Sequence, residues 1–383
     1  MKKKKKEKKI LYQLIFSAFL LFSNAYLVKA NSDILSQDST GKYCINTEQD
    51  YYNFIENIQN YNNKTVILCN DIDISDVPEA TSSFGGILNG KGHTITYASK
   101  EAKENIAVFP FRINDNGIVE NINVQIDESY AYNSETDEFQ TVFSQCDGIA
   151  KGITIKGNVT CIYDDEDENV SIGAIEGNGT LMDSSIAITY DLQSEKTIEE
   201  IAEDIVENDL EFEFCQLGTT YTGITYQNCI GYGQYSEAIK SLADELEPKI
   251  EDDTWGYLCV SFTRKSFSST SASATNCYYD KENMPDIKIR SEYIANRDNN
   301  KEFPNYADFG KTTSEMKNQG TYEGFDFNKK WTISPEDNNG YPYYNPQTEE
   351  ITLKVQASTE PKVWSTSVPR DYNRFVDYAK NYH

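Results

Sequence analysis

Three stretches of the 383-residue chain align without a gap: GIVENINVQI from Gly117, GIAKGITIKG from Gly148 and GTLMDSSIAI from Gly179. Their leading glycines are 31 residues apart both times. In that register Val119, Ala150 and Leu181 coincide, as do Val124, Ile155 and Ile186. Each stretch is a glycine turn followed by short apolar alternation, the pattern of a strand with one buried face. A half-buried strand repeated at a fixed period covers its apolar side by stacking on its neighbours, so the expected fold is an all-β solenoid. GITYQNCIGYG (223–233) and SATNCYYD (273–280) read as later rungs with longer insertions, and Cys229 and Cys277 each follow an asparagine.

Three helical patterns interrupt the strands. From Thr47, an N-cap threonine precedes Tyr51, Phe54, Ile55 and Ile58 on one face, which predicts a helix over the open end of the first rungs. A Thr197/Glu200 capping box opens a second helix near 197–210. A third, near 236–247, carries Ile239, Leu242, Ala243 and Leu246 on one face and stops at Pro248. The last two are expected as insertions packed on the side of the stack.

Residues 1–30 read as a secretory signal peptide: a lysine-rich start, the apolar run ILYQLIFSAFLLF, and small residues at Ala25 and Ala30. Cleavage is expected after Ala30, with Ala25 the alternative. The apolar run falls short of the about 20 residues of a membrane span, so no span is expected after its removal. The remaining divisions are a linker (31–42), the solenoid with its helical insertions (43–280), C-terminal rungs or a cap (281–345) and a tail (346–383). The chain is expected to be secreted or extracellular, with surface association open.

Removing the eight lysines and one glutamate of residues 1–30 takes the formal charge from −26 to −33. A field of that sign repels nucleic acid, anionic lipid and acidic polysaccharide. Cysteines 44, 69, 146, 161, 215, 229, 259 and 277 all lie beyond residue 30. Their even number suits an oxidising compartment, their pairing is open, and no C-x-x-C suggests zinc or a redox motif. Those in VILCND and YLCVSF sit in apolar runs, where a free thiol acts as a small buried hydrophobe.

VILCNDIDISD, FGGILNGKGHTIT, NGIVENINVQI and the closing TTSEMKNQGTYEGFDFNKKWTISPEDNNGYPYY together resemble the GLUG-motif proteins. The resemblance spans roughly residues 43–345 and is strongest at Asn70-Asp71-Ile72-Asp73, Gly90-Lys91-Gly92-His93-Thr94-Ile95 and Gly340-Tyr341-Pro342. It implies a secreted or surface β-helix protein of bacteria, similar in fold to the right-handed parallel helices of pectate lyases. The family's glycine–aliphatic–aromatic–glycine signature falls on Ala107-Val108-Phe109-Pro110, where proline lacks the N–H an interior rung would use. The resemblance implies no single activity.

Site by site, the residues favour structure over chemistry. His93, in LNGKGHTI, has no second histidine or cysteine at ligand spacing; it is expected to fill a tight corner with a ring nitrogen bonded to backbone. The same glycines form no phosphate loop, because no GxxxxGK[ST] unit leads into a helix. Asp165, Asp167, Asn169, Ser171 and Glu176 have the spacing of a calcium loop, but Val170 stands where glycine is needed. The acidic run Asp164–Glu168 is therefore expected to be solvated, with SIGAI a strand. Arg112 is the single arginine between residues 31 and 250, too few for a lyase of acidic sugars, and no GxSxG is present.

No catalytic, cofactor-binding or metal-binding residue is assigned, and no cofactor is expected. The expected role is a non-catalytic binding or adhesion-type module recognising glycan or a host or cell-surface protein. The 27 tyrosines fit this role, since tyrosine offers apolar area and a polar tip, and equally fit a second use as filler of the outer surface of strands. The alternatives are a β-helix carbohydrate-active enzyme (a lyase or glycoside hydrolase) acting on a non-acidic polysaccharide and a passive structural protein of the cell envelope.

Overall fold

A strand whose inward residues recur one rung later needs the next strand parallel and in the same register, and the chain meets that demand over most of its length. The computed structural model describes residues 35–345 except 76, 79, 81, 99–106, 133–139, 164–168, 219–222, 252–253, 264–272 and 293–305. The expected signal sequence with Ala25 and Ala30, the acidic run Asp164–Glu168 and the tail 346–383 lie outside the described residues.

The protein is mostly β, built around a 15-stranded and a 6-stranded sheet. Two lines of paired residues run through the larger one. The first joins Val66, Leu88, Val119, Ala150, Leu181, Tyr226 and Ala274 in successive parallel register. The second joins Ile72, Ile95, Val124, Ile155, Ile186, Gly231 and Tyr279. The equivalent positions of the 31-residue repeat thus sit one above another, and all six are buried. The 6-stranded sheet closes the core from a third side, with Val170, Phe212 and Leu258 in register and facing inward. This arrangement is compatible with a β-helix or solenoid.

Between the first and second lines the backbone turns through a left-handed residue in rung after rung: Asn121 (φ 55°), Gly152 (φ 62°), Asp183 (φ 50°), Asn228 (φ 53°) and Asn276 (φ 52°). Asparagine and aspartate tolerate that region best among residues with a Cβ. Their side chains also bond along the stack: Asn276 Nδ2 donates to Asn228 Oδ1 (3.3 Å), and Asn228 Nδ2 to Asp183 Oδ1 (3.0 Å).

The helices occupy the places their patterns indicate. Helix α1 (Glu48–Glu56) starts where the Thr47 side chain accepts the Asp50 N–H. It lays Phe54 against Phe84 and Phe111 of the first rungs, and Tyr51 donates to the Val108 carbonyl at 2.7 Å. Helices α2 (Ile198–Glu207) and α3 (Glu237–Leu246) leave successive rungs after the second line and pack on each other. These insertions lengthen the rungs, so equivalent residues 31 apart in the middle of the chain become 45 and 48 apart later.

Pro110 lies in Phe109–Ile113, the edge strand of the 6-stranded sheet, and pairing slips between Phe109 and Arg112. An edge strand with a slipped ladder can dispense with the N–H that proline lacks. At the other edge, Ile287–Ile289 runs antiparallel to Tyr257–Ser261.

One disulfide, Cys44–Cys69, ties the first two rungs together, with Cα atoms 5.8 Å apart. Cys69, in VILCND, is therefore a bridge partner and not the buried free thiol its apolar run suggests. The other six cysteines are buried thiols.

Beyond Gly310–Lys311, which adds a last strand, residues 312–345 turn back along the flank of the stack. Met316, Tyr322, Phe325, Trp331, Tyr341 and Tyr344 cover the outward faces of Ile230 and Tyr278 in a second apolar cluster. The strap is keyed to the corners: Lys330 Nζ reaches Asp183 Oδ2 at 3.0 Å, and the Tyr344 ring lies where Gly152 has no Cβ.

The register predicts where stability resides. Ile155→Ala, in the middle of the second line, is expected to cost about 2–5 kcal/mol through lost burial and a cavity no neighbour can fill. Lys151→Ala, on the outward face of the same strand, should change stability by about 0.5 kcal/mol or less. Urea unfolding of both variants followed by circular dichroism checks the contrast.

Candidate functional site

His93 occupies a tight turn in which its own N–H donates to the Gly90 carbonyl at 2.8 Å. Its ring bonds to a side chain and not to backbone as expected: Nδ1 lies 3.0 Å from Asp71 Oδ1 one rung earlier. The same oxygen accepts the Thr94 N–H at 2.8 Å. That N–H, and after it the histidine, hold the Asp71 carboxyl below its usual range. Both side chains reach solvent, 35% and 72% exposed, and the pair joins two rungs at a corner.

The described part of the calcium-like spacing also serves the stack. Asn169 Oδ1 accepts the Glu211 N–H at 2.7 Å, and the Glu176 carbonyl accepts the Cys146 N–H at 2.6 Å. Ser171 lies in the strand Val170–Ile175 and its hydroxyl donates to Glu213 at 3.4 Å. Arg112 is paired, with Nε 2.6 Å from Asp147 Oδ2. Among the described residues no group of three His, Cys, Asp or Glu comes close enough to hold a metal ion.

Tyrosine is put to a different use from the one its abundance suggests. Tyr51, Tyr61, Tyr163, Tyr190 and Tyr226 are fully buried in the main core. Their rings fill a wide interior, and several hydroxyls end on backbone carbonyls, such as Tyr190 on Cys215 and Tyr235 on Ser261. These tyrosines are core.

The run EFEFC (211–215) places Phe212 and Phe214 inward and Glu211 and Glu213 outward. The Tyr257 hydroxyl lies 2.9 Å from Glu211 and 2.8 Å from Glu213, so one phenolic proton serves two carboxylates. Glu213 is only 1% exposed. The strict Glu/Phe alternation signals this pair, but its phenol comes from the next rung.

A concavity of about 610 Å³ lies at the C-terminal end of the stack. Tyr278 points outward from its strand, and Tyr322 of the strap meets it edge-on, with centroids 5.2 Å apart. The Tyr278 hydroxyl accepts the Glu323 N–H at 3.0 Å, while Lys311 Nζ sits 5.9 Å from the Tyr278 ring centroid. Asp308, Thr321 and Glu323 line the rim. Burial pushes both phenols up, so they stay protonated at neutral pH. The groove therefore offers the exposed margins of two largely buried aromatic rings, two carboxylates and one amine.

One buried carboxylate holds this wall in place. Asp280, at 0% exposure, accepts the N–H groups of Glu282 (3.0 Å) and Asn283 (3.2 Å) and the Asn283 amide (2.9 Å). From the strap it accepts the hydroxyls of Thr313 (2.8 Å) and Tyr341 (2.5 Å). Sequence patterning had no access to this hub, because the strap donors lie 33 and 61 residues away.

Two outcomes follow. Asp280→Ala leaves buried donors unpaired and is expected to cost roughly 3 kcal/mol. Hydrogen exchange should then show residues 312–345 losing protection while the strand 149–162 keeps it. Asp71 binds a proton less readily folded than unfolded, so its contribution is present above the unfolded carboxylate range and is lost as pH falls through the folded one. Asp71→Asn should accordingly flatten the acid limb of a stability–pH curve and leave stability at neutral pH less dependent on His93.

No family model, no curated protein and no solved structure matches the chain.

Proposed function

We propose that this chain is a secreted or surface-attached binding module on a right-handed parallel β-helix, and that the Tyr278–Tyr322 groove recognises a neutral glycan. The right hand follows the usual sense of parallel crossovers, about 98% of cases. The resemblance of the Asn70–Asp73, Gly90–Ile95 and Gly340–Pro342 segments to GLUG-motif proteins supports both the fold and the compartment. The groove carries the reading. Its size is that of a small-molecule site. Aromatic walls suit the apolar faces of sugar rings, and carboxylates beside an amine suit hydroxyl groups, which both donate and accept. Two carboxylates against one lysine, in a chain of net negative charge, disfavour an anionic ligand.

A carbohydrate-active enzyme is the second reading, and the observation in its favour is the Glu211–Tyr257–Glu213 cluster. Two carboxyls that share one phenol are close enough for a glycosidase pair. The burial of Glu213 weighs against it, because a general acid has to reach its substrate. Incubation with neutral polysaccharides, followed by chromatography for shortened products, separates the two readings.

Glycan arrays and calorimetry test the binding reading directly. A neutral oligosaccharide is expected to bind saturably. Asp308→Ala combined with Glu323→Ala should weaken it at least tenfold, about 1.4 kcal/mol, with the melting temperature unchanged. Absence of saturable binding to neutral glycans, or binding indifferent to both substitutions, refutes it.

A further inference from the structure

Of the six thiols, two lie opposite each other in the stack. Gln227 pairs with Thr275 on one side of the corner and Ile230 with Tyr278 on the other, which sets Cys229 directly against Cys277. The Tyr278 N–H donates to the Cys229 carbonyl at 2.9 Å, so the backbones are in contact at this point. Both side chains turn the same way. Cys229 Sγ lies 3.4 Å from the carbonyl of Gln227, two residues before it, and Cys277 Sγ lies 3.5 Å from that of Thr275, likewise two before. They are 0% and 1% exposed, and the neighbouring Cys277 thiol adds to the burial that pushes the Cys229 thiol up. The remaining thiols face other residue types: Cys146 opposes Ile113, Cys161 opposes Leu192, Cys215 opposes Ser261 and Cys259 opposes Glu213.

We propose that Cys229 and Cys277 form a second inter-rung disulfide when the chain folds under oxidising conditions. Adjacent strands lie about 4.8 Å apart, inside the Cα separation that a disulfide spans. The chain already joins two neighbouring rungs in this way at Cys44–Cys69. In the reaction two S–H bonds are lost and one S–S bond forms. Two protons go to solvent, and two electrons pass to the disulfide of an envelope thiol oxidant, which leaves as its dithiol. Burial pushes the Cys229 thiol well up, so the folded core supplies no thiolate to start the exchange. The bond belongs to folding, before these rungs close. It would staple rungs 48 residues apart directly beneath Tyr278, the floor of the groove.

The test uses the full chain exported into an oxidising compartment, then denatured, alkylated without reductant and digested for mass spectrometry. The expected result is alkylation of Cys146, Cys161, Cys215 and Cys259 alone, with a reducible peptide pair joining Cys229 to Cys277. In Cys277→Ser, Cys229 should become alkylated. Alkylation of all six thiols in protein whose Cys44–Cys69 bond is intact overturns the proposal, as does any other pairing. Should Cys277→Ser fail to fold, the wild-type measurement decides alone.

Discussion

Parallel register is the constraint from which the rest of this structure follows. A strand in the stack is buried only if the residue above it and the residue below it present the same inward position, so Val124, Ile155 and Ile186 stabilise one another as a column and not as separate contacts. A slip of one residue would turn each column outward at once. The left-handed corners at Asn121, Gly152, Asp183, Asn228 and Asn276 keep the two lines in phase, because each spends the same residues on the same turn. Length is free elsewhere. The chain makes its excursions after the second line, where α2 and α3 leave and return without disturbing either column.

That division explains what could be read from the sequence. The 31-residue interval is a local, ungapped pattern, and it names the stacked residues correctly. Helix α1 and the two inserted helices were equally legible, since capping threonines and apolar stripes lie within a few residues of one another. Contacts made across rungs carry no such mark. His93 meets Asp71 because the turn length sets them one rung apart, a distance no motif encodes. Tyrosine composition pointed outward, yet the interior of a three-sided stack is wide enough to need large side chains, and tyrosine fills it where a carbonyl can take the hydroxyl. The strap was the least legible part, because its partners Asp183, Gly152 and Asp280 belong to three different rungs.

The strap also shapes the groove at the C-terminal end of the stack. By covering Ile230 and Tyr278 it removes one flank of the stack from solvent, and its own edge becomes a wall of the groove. The groove thus combines the most repetitive part of the molecule, a strand held by its neighbours on both sides, with the least repetitive. Rigidity comes from the first and shape from the second, a combination that lets a regular scaffold present an irregular surface.

The reversed strand Ile287–Ile289 bears on a hazard peculiar to such architectures. A stack of identical parallel edges is an open template, and a second molecule could in principle continue it without limit. Here the final edge of the smaller sheet runs the opposite way, so the parallel pairing of the rungs before it ends at that edge. The smaller sheet thus ends on a strand of opposite sense, while the larger one ends on the parallel strand Gly310–Lys311 with the strap folded beside it.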